Sequence, residues 1–95
     1  MPPAGPHGIT LLFHAGLGGD VEIARLLVKN GAHDDQALHA AVWFNRYEMA
    51  KWLIENDTKD INVIRGEKTP LDLAIEKDHS QIVALLKEKG VGTRM

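Results

Sequence analysis

The sequence predicts an all-α fold, a solenoid of three stacked helix-turn-helix units with one short hairpin-like finger. Three observations predict it. Apolar residues recur at helical spacing in three segments of similar length, 21–30, 47–56 and 80–89. A shorter helical segment precedes each of them, at about 11–17, 37–44 and 70–77. Nowhere do apolar and polar residues alternate for long enough to make a core strand.

In chain order, residues 1–7 carry Pro2, Pro3 and Pro6 and are expected to form an extended, poorly ordered lead-in. In 21–30, Ile23, Leu26 and Leu27 fall at i, i+3 and i+4 and build one apolar stripe. Asp20 can accept from the free N–H groups at the start of that helix, and Gly31 can take the left-handed conformation that ends it. The stripe recurs as Met49, Ala50, Trp52, Leu53 and Ile54, and again as Ile82, Val83, Leu85 and Leu86. Ser80 is the expected cap of the last helix and Gly90 its stop. Thr69-Pro70 pairs a cap with a proline in the first helical turn. Arg65-Gly66 is a turn signal, which places the finger near 62–68.

The three units match one another. The first reads Thr10-Leu11-Leu12-Phe13-His14-Ala15, then Gly19-Asp20-Val21-Glu22-Ile23-Ala24. The second reads Ala37-Leu38-His39-Ala40-Ala41, then Asn45-Arg46-Tyr47-Glu48-Met49-Ala50. The third reads Thr69-Pro70-Leu71-Asp72-Leu73-Ala74, then Asp78-His79-Ser80-Gln81-Ile82-Val83. This resembles the ankyrin repeat, whose signature is T-P-L-H-x-A and whose period is about 33 residues. Leu38 and Leu71 are 33 residues apart. The resemblance makes 8–91 one repeat domain, with units at about 8–34, 35–65 and 66–91 and a tail at 92–95.

The departures carry information. Leu12 and Leu38 are only 26 residues apart. The first inter-repeat finger is therefore expected to be truncated, with Asp34 or Asp35 capping the second unit's first helix instead. Leu11 stands at the signature's Pro position, and Phe13 and Asp72 stand at its His position. A lone helix pair cannot bury its stripe, so about three units are the minimum for a stable stack. The last unit has a charged outer side, with Glu76, Lys77, Asp78 and Lys87. The first is less well capped: either 1–7 folds over it, or further repeats stack before it.

Composition excludes several functions. A net charge of −2 gives no reason to expect nucleic acid or an anionic membrane as partner. With no cysteine there is no disulfide, thiolate metal site or cysteine nucleophile, which suits a cytoplasmic protein. No signal peptide is expected, and no apolar run approaches the roughly 18 residues of a spanning helix. His7, His14, His33, His39 and His79 show no i, i+4 metal pair. No G-x-S-x-G or phosphate loop is present, and the Gly16 to Gly19 region follows no strand. No enzyme, cofactor or metal is expected. His39 and His79 fall at positions that the resemblance makes structural.

The expected function is binding of a protein or peptide along the concave face. Trp52 aligns with Leu26 and Leu85 and is a core position. Trp43 and Phe44 align instead with Leu17-Gly18 and Glu76-Lys77. Two adjacent large apolar residues cannot both face the core of a short helix, and exposed aromatics ringed by charge anchor binding sites. The other reading is that Trp43 fills the space of the missing finger. The resemblance places Arg46, Tyr47, Arg65, Lys68, Glu76 and Lys77 around the aromatic pair as a mixed-charge rim. The chain is expected to be a monomer, with weak self-association through the first unit. The alternative is a capping or fragment piece of a longer array, natural or engineered, with no partner of its own.

Overall fold

A computed structural model describes residues 10–89. The lead-in expected at 1–7, the Gly90 stop and the tail at 92–95 lie outside those residues. Six helices follow in order: α1 (Leu11–Gly18), α2 (Val21–Lys29), α3 (Ala37–Trp43), α4 (Tyr47–Asn56), α5 (Pro70–Glu76) and α6 (Ser80–Glu88). Each expected helix is present to within a residue or so at either end. The short helices pack in the order α1, α3, α5, and the longer ones in the order α2, α4, α6.

The turn inside each unit is built the same way. Gly19, Asn45 and Asp78 occupy equivalent positions with φ of 73°, 58° and 59°. Glycine, asparagine and aspartate are the residues that enter this left-handed region at least cost. At the next residue, the N–H of Asp20, Arg46 or His79 reaches back to the carbonyl of Ala15, Ala41 or Ala74. This is the six-residue closure that satisfies free carbonyls at a helix end. Sequence repetition and backbone repetition coincide here.

Capping follows the sequence in part. The Asp20 carboxylate accepts from Ile23 N at 3.1 Å. Thr69 and Asp72 form a reciprocal capping box at the start of α5, with Pro70 as its first residue. Asp72, a departure from the signature's histidine, is there as a cap partner. Ser80 is not a cap: His79 holds that position without a side-chain bond, and Ser80 is the first helical residue.

The truncated first finger is replaced by carboxylates. Asp34 does not cap α3 itself; it accepts from the Thr10 hydroxyl and from Gln36 N, just ahead of the helix. Asp35 accepts from Lys59 N and Asp60 N, so it holds the loop after α4 rather than α3. Asp57 accepts from Asp34 N at 3.1 Å and from His33 Nδ1 at 3.0 Å. The second finger is reduced to its tip. Arg65 and Lys68 exchange two main-chain bonds around Gly66 and Glu67, at φ of 60° and 66°. Two consecutive positive φ values make the tight turn whose twist suits paired strands.

The core runs between the units. From Ala37 to Val42 every residue of α3 is buried. Leu12, Leu38, Met49, Leu53, Ile82 and Leu86 are among the core's largest fully buried side chains. Close approach of α1 to α3 depends on Gly16: a Cβ there would stand 2.7 Å from Ala37 O. Gly18 faces open space. Overpacking typically costs about 1–3 kcal/mol, whereas replacing a helical glycine with alanine returns about 1 kcal/mol. Gly16→Ala should therefore lower stability in urea unfolding, and Gly18→Ala should raise it or leave it unchanged.

His39 is the one polar residue buried as a whole among the described residues. Its Nε2 lies 2.8 Å from Lys68 O, so Nε2 carries the proton and donates. It ties the second unit to the finger ahead of the third. Nδ1 is buried with no partner. Burial pushes the imidazole pKa down, against the opposing pull of the Lys68 carbonyl. The folded state therefore binds this proton less readily than the unfolded chain. The stability tied to His39 is present above the unfolded value of about 6.5 and is lost as pH falls below it. Melting curves from pH 7 to pH 5 should show a falling Tm. His39→Gln, less stable at pH 7, should lose less over the same interval.

Candidate functional site

The concave face is laid down by the short helices. Matching positions of α1, α3 and α5 stand side by side: Phe13, His39 and Asp72 in one row, Leu17, Trp43 and Glu76 in the next. Within each helix the two positions are four residues apart and share a face. Between this face and the finger tip lies a groove of about 330 Å³. Phe13, Leu17, Ala40 and Leu73 line it together with Trp43 and Phe44 from α3 and its end, and Arg65, Gly66 and Lys68 from the finger.

The two aromatics are half-exposed, Trp43 at 49% and Phe44 at 51%. The Lys77 ammonium sits 3.9 Å from the Trp43 ring centroid, a cation–π distance, and the Trp43 carbonyl faces His79 Nε2 at 3.4 Å. His79 thus links the turn after α5 to the end of α3, while His39 links α3 to the finger. On the other side, the Arg65 guanidinium lies 4.4 Å from the Phe13 centroid. Gln36 Oε1 accepts from Arg65 Nη1 at 2.7 Å and fixes it there. Lys68 and Glu76 form an exposed ion pair at 2.9 Å across the rim. Hydrogen bonding to Lys68 holds the Glu76 carboxyl below its ordinary range, and the same bond raises the Lys68 pKa.

Four of the eight residues singled out from sequence line this groove, Trp43, Phe44, Arg65 and Lys68; Lys77 and Glu76 stand outside its lining, in contact with Trp43 and Lys68. Arg46 and Tyr47 are not at this groove. Arg46 donates from Nε to Leu17 O at 3.1 Å, and its aliphatic stem covers Gly19. It is a tether between the first two units. Tyr47 opens α4 and packs half-buried against the core. Both border a different depression, beside Gly18 and Gly19. Phe13, Leu17 and Leu73 were missed as groove residues. The repeat alignment carried the signal: Leu17 occupies the Trp43 position, and Phe13 precedes it by one turn.

His33, Asp35 and Asp57 bring one ligand-type atom each within 4.8 Å of the others. Asp35 Oδ1 and Oδ2 and Asp57 Oδ2 already accept from main-chain N–H groups. Their geometry serves the loop. No helix among the described residues is long and apolar enough to cross a membrane.

The family model described as "Ankyrin repeats (3 copies)" matches residues 3–65, more than half of the chain. Among curated proteins, the chain is 34% identical over 80 residues to alpha-latrocrustotoxin-Lt1a of Latrodectus tredecimguttatus. That match covers 77% of this chain and 6% of the toxin. It is 33% identical over 63 residues to an I-kappa-B like protein, C2, of Microplitis demolitor bracovirus, covering 65% of this chain and 35% of the relative. It is 32% identical over 92 residues to an ankyrin repeat protein of fowlpox virus, covering 88% and 21%. The chain thus spans about a third or less of the length of each of these relatives. From the matched model and the three repeated units, the chain belongs to the ankyrin repeat family.

Proposed function

We propose that this chain holds a protein or peptide segment in the groove between its short helices and the finger, with Trp43 and Phe44 as the apolar anchors. Ankyrin repeats generally mediate protein–protein interaction. The observation that carries the reading here is the pair of half-exposed aromatics over an apolar floor, with Arg65 and Lys68 in the lining and Lys77 and Glu76 held against Trp43 and Lys68. An apolar centre inside a polar rim is the common anatomy of interfaces, and large aromatics are the side chains that most often dominate their energy. The mechanism is rigid presentation. Trp43 is already held by Lys77, and Arg65 by Gln36 and Phe13, so little side-chain freedom is left to lose on binding. The reading assigns no catalytic step, cofactor, nucleic acid or membrane partner. A reducing compartment, the cytoplasm, suits a chain without cysteine.

The greater length of the relatives favours a second reading, in which the three units are a piece of a longer array without a partner of their own. Selection from a displayed random-peptide library separates the two. The groove reading expects recovered peptides rich in apolar side chains. Trp43→Ala combined with Phe44→Ala should weaken them at least tenfold, or about 1.4 kcal/mol, with the helical circular-dichroism signal intact. Arg46→Ala should lower thermal stability and leave peptide affinity alone. Undiminished binding by the double variant, or its unfolding, contradicts the groove reading; recovery of no peptide supports the second.

A further inference from the structure

The lining of the groove is uneven in charge. Two cations, Arg65 and Lys68, belong to it, and among the described residues no aspartate or glutamate does. The acidic residues of this region gather around Lys68 instead. Glu76 is bonded to Lys68 at 2.9 Å, and Asp72 and Glu67 act on the same ammonium from further off. Asp72 is also engaged as the cap partner of Thr69. Asp34, whose charge reaches His39, is engaged by the Thr10 hydroxyl and Gln36 N. Arg65 is left without an anion: among the described residues no carboxylate stands within ion-pair distance of it.

Arg65 is nonetheless fixed in place. Its guanidinium lies over Phe13, and its side-chain bond to Gln36 uses one of five N–H donors. Gln36 is neutral, and a ring face attracts a cation without neutralising it. Arg65 is half-buried, so an ion pair formed there is less screened than one at a fully exposed site. The Lys77 ammonium repeats the arrangement against Trp43, just outside the lining, and Glu76 reaches it only through space. A ligand that seats apolar side chains beside Trp43 and Phe44 therefore meets cationic N–H groups at its edge. The net charge of −2 does not oppose this, because charges more than about 8–10 Å away are largely screened at physiological salt.

We propose that the segment held in this groove is an acidic and apolar peptide, with large apolar side chains on Trp43 and Phe44 and a neighbouring aspartate or glutamate bound through its carboxylate by Arg65. This rests on the groove reading above and names its partner's chemistry. An extended chain advances about 3.3 Å per residue, so the carboxylate lies within about three residues of the apolar anchor. The planar fork of Arg65 suits two carboxylate oxygens at once, and its position is already set, so little ordering remains to oppose binding. Lys77 adds attraction from the Trp43 side. A lysine or arginine in the same place meets like charge in the lining, which discriminates against basic segments.

Peptides selected on the full chain from a displayed random library, then synthesised with blocked termini so that only side chains carry charge, test this. The expected peptides are enriched in aspartate and glutamate beside their apolar residues. Converting that acid to its amide should weaken binding at least about threefold, and by less at high salt. The preference for acid over amide should vanish in Arg65→Gln, persist in part in Arg65→Lys, and stay whole in Lys51→Gln, outside the groove. Lys77→Gln should shrink it, and gives the reading if Arg65→Gln fails to fold. Apolar peptides with no acidic preference, or with basic residues beside the anchor, overturn the proposal and leave the groove reading standing. An acidic preference that survives Arg65→Gln does the same. Recovery of no peptide, or binding undiminished by Trp43→Ala with Phe44→Ala, removes the groove reading and this proposal with it.

Discussion

A helix pair of this length has more apolar surface than it can bury by itself, and stacking is the only remedy open to it. The middle unit bears that constraint for the whole molecule. It is the only described unit covered on both sides, and α3 is buried from Ala37 to Val42. Small residues make this possible. Gly16, Ala37, Ala40 and Ala41 let α1 and α3 approach with main chain near main chain, which larger side chains would prevent. The polar links then converge on the same unit: His39 to Lys68, His79 to Trp43, and Arg46 to Leu17. Removing the middle unit would leave two helix pairs with nothing to pack on.

The groove inherits its shape from that arrangement. Stacking sets the spacing of α1, α3 and α5, and so fixes where Leu17, Trp43 and Glu76 stand relative to one another. The same ladder leaves the aromatic step in the middle, flanked by an aliphatic residue on one side and a charged one on the other. The finger closes the groove because Arg65 is held twice, by Gln36 through a hydrogen bond and by Phe13 through its ring face. A cation over an aromatic face gains attraction while its polar edge stays free, so the rim remains polar although the floor is apolar.

Much of this was legible in the sequence. The repeated apolar stripes located six helices, and the Gly19, Asn45 and Asp78 positions located three equivalent turns, because few residues accept that backbone conformation. The short spacing from Leu12 to Leu38 showed that a finger was missing. What replaced it was not readable. Asp35 and Asp57 act on main-chain groups, and Asp34 on the Thr10 hydroxyl, more than twenty residues away, and no local pattern records such a contact. Arg46 and Tyr47 were misplaced for a related reason. Family position put them near the groove, but Gly19 offered Arg46 an open carbonyl neighbour at Leu17, and that contact turned the side chain elsewhere. His79 rather than Ser80 precedes the last helix because the turn closes one residue earlier than capping preference alone suggests.

Native-state amide hydrogen exchange tests the central claim most directly, that the middle unit holds the whole stack together. Amides in α3 and in the Met49 to Leu53 part of α4 should exchange only through global unfolding, with the free energy measured by denaturant. Amides of α1, α2 and α6 should open at lower cost, from the ends inward. Exchange from α3 at a lower free energy than from α6 would contradict the account, because the end unit would then be stable without the middle one.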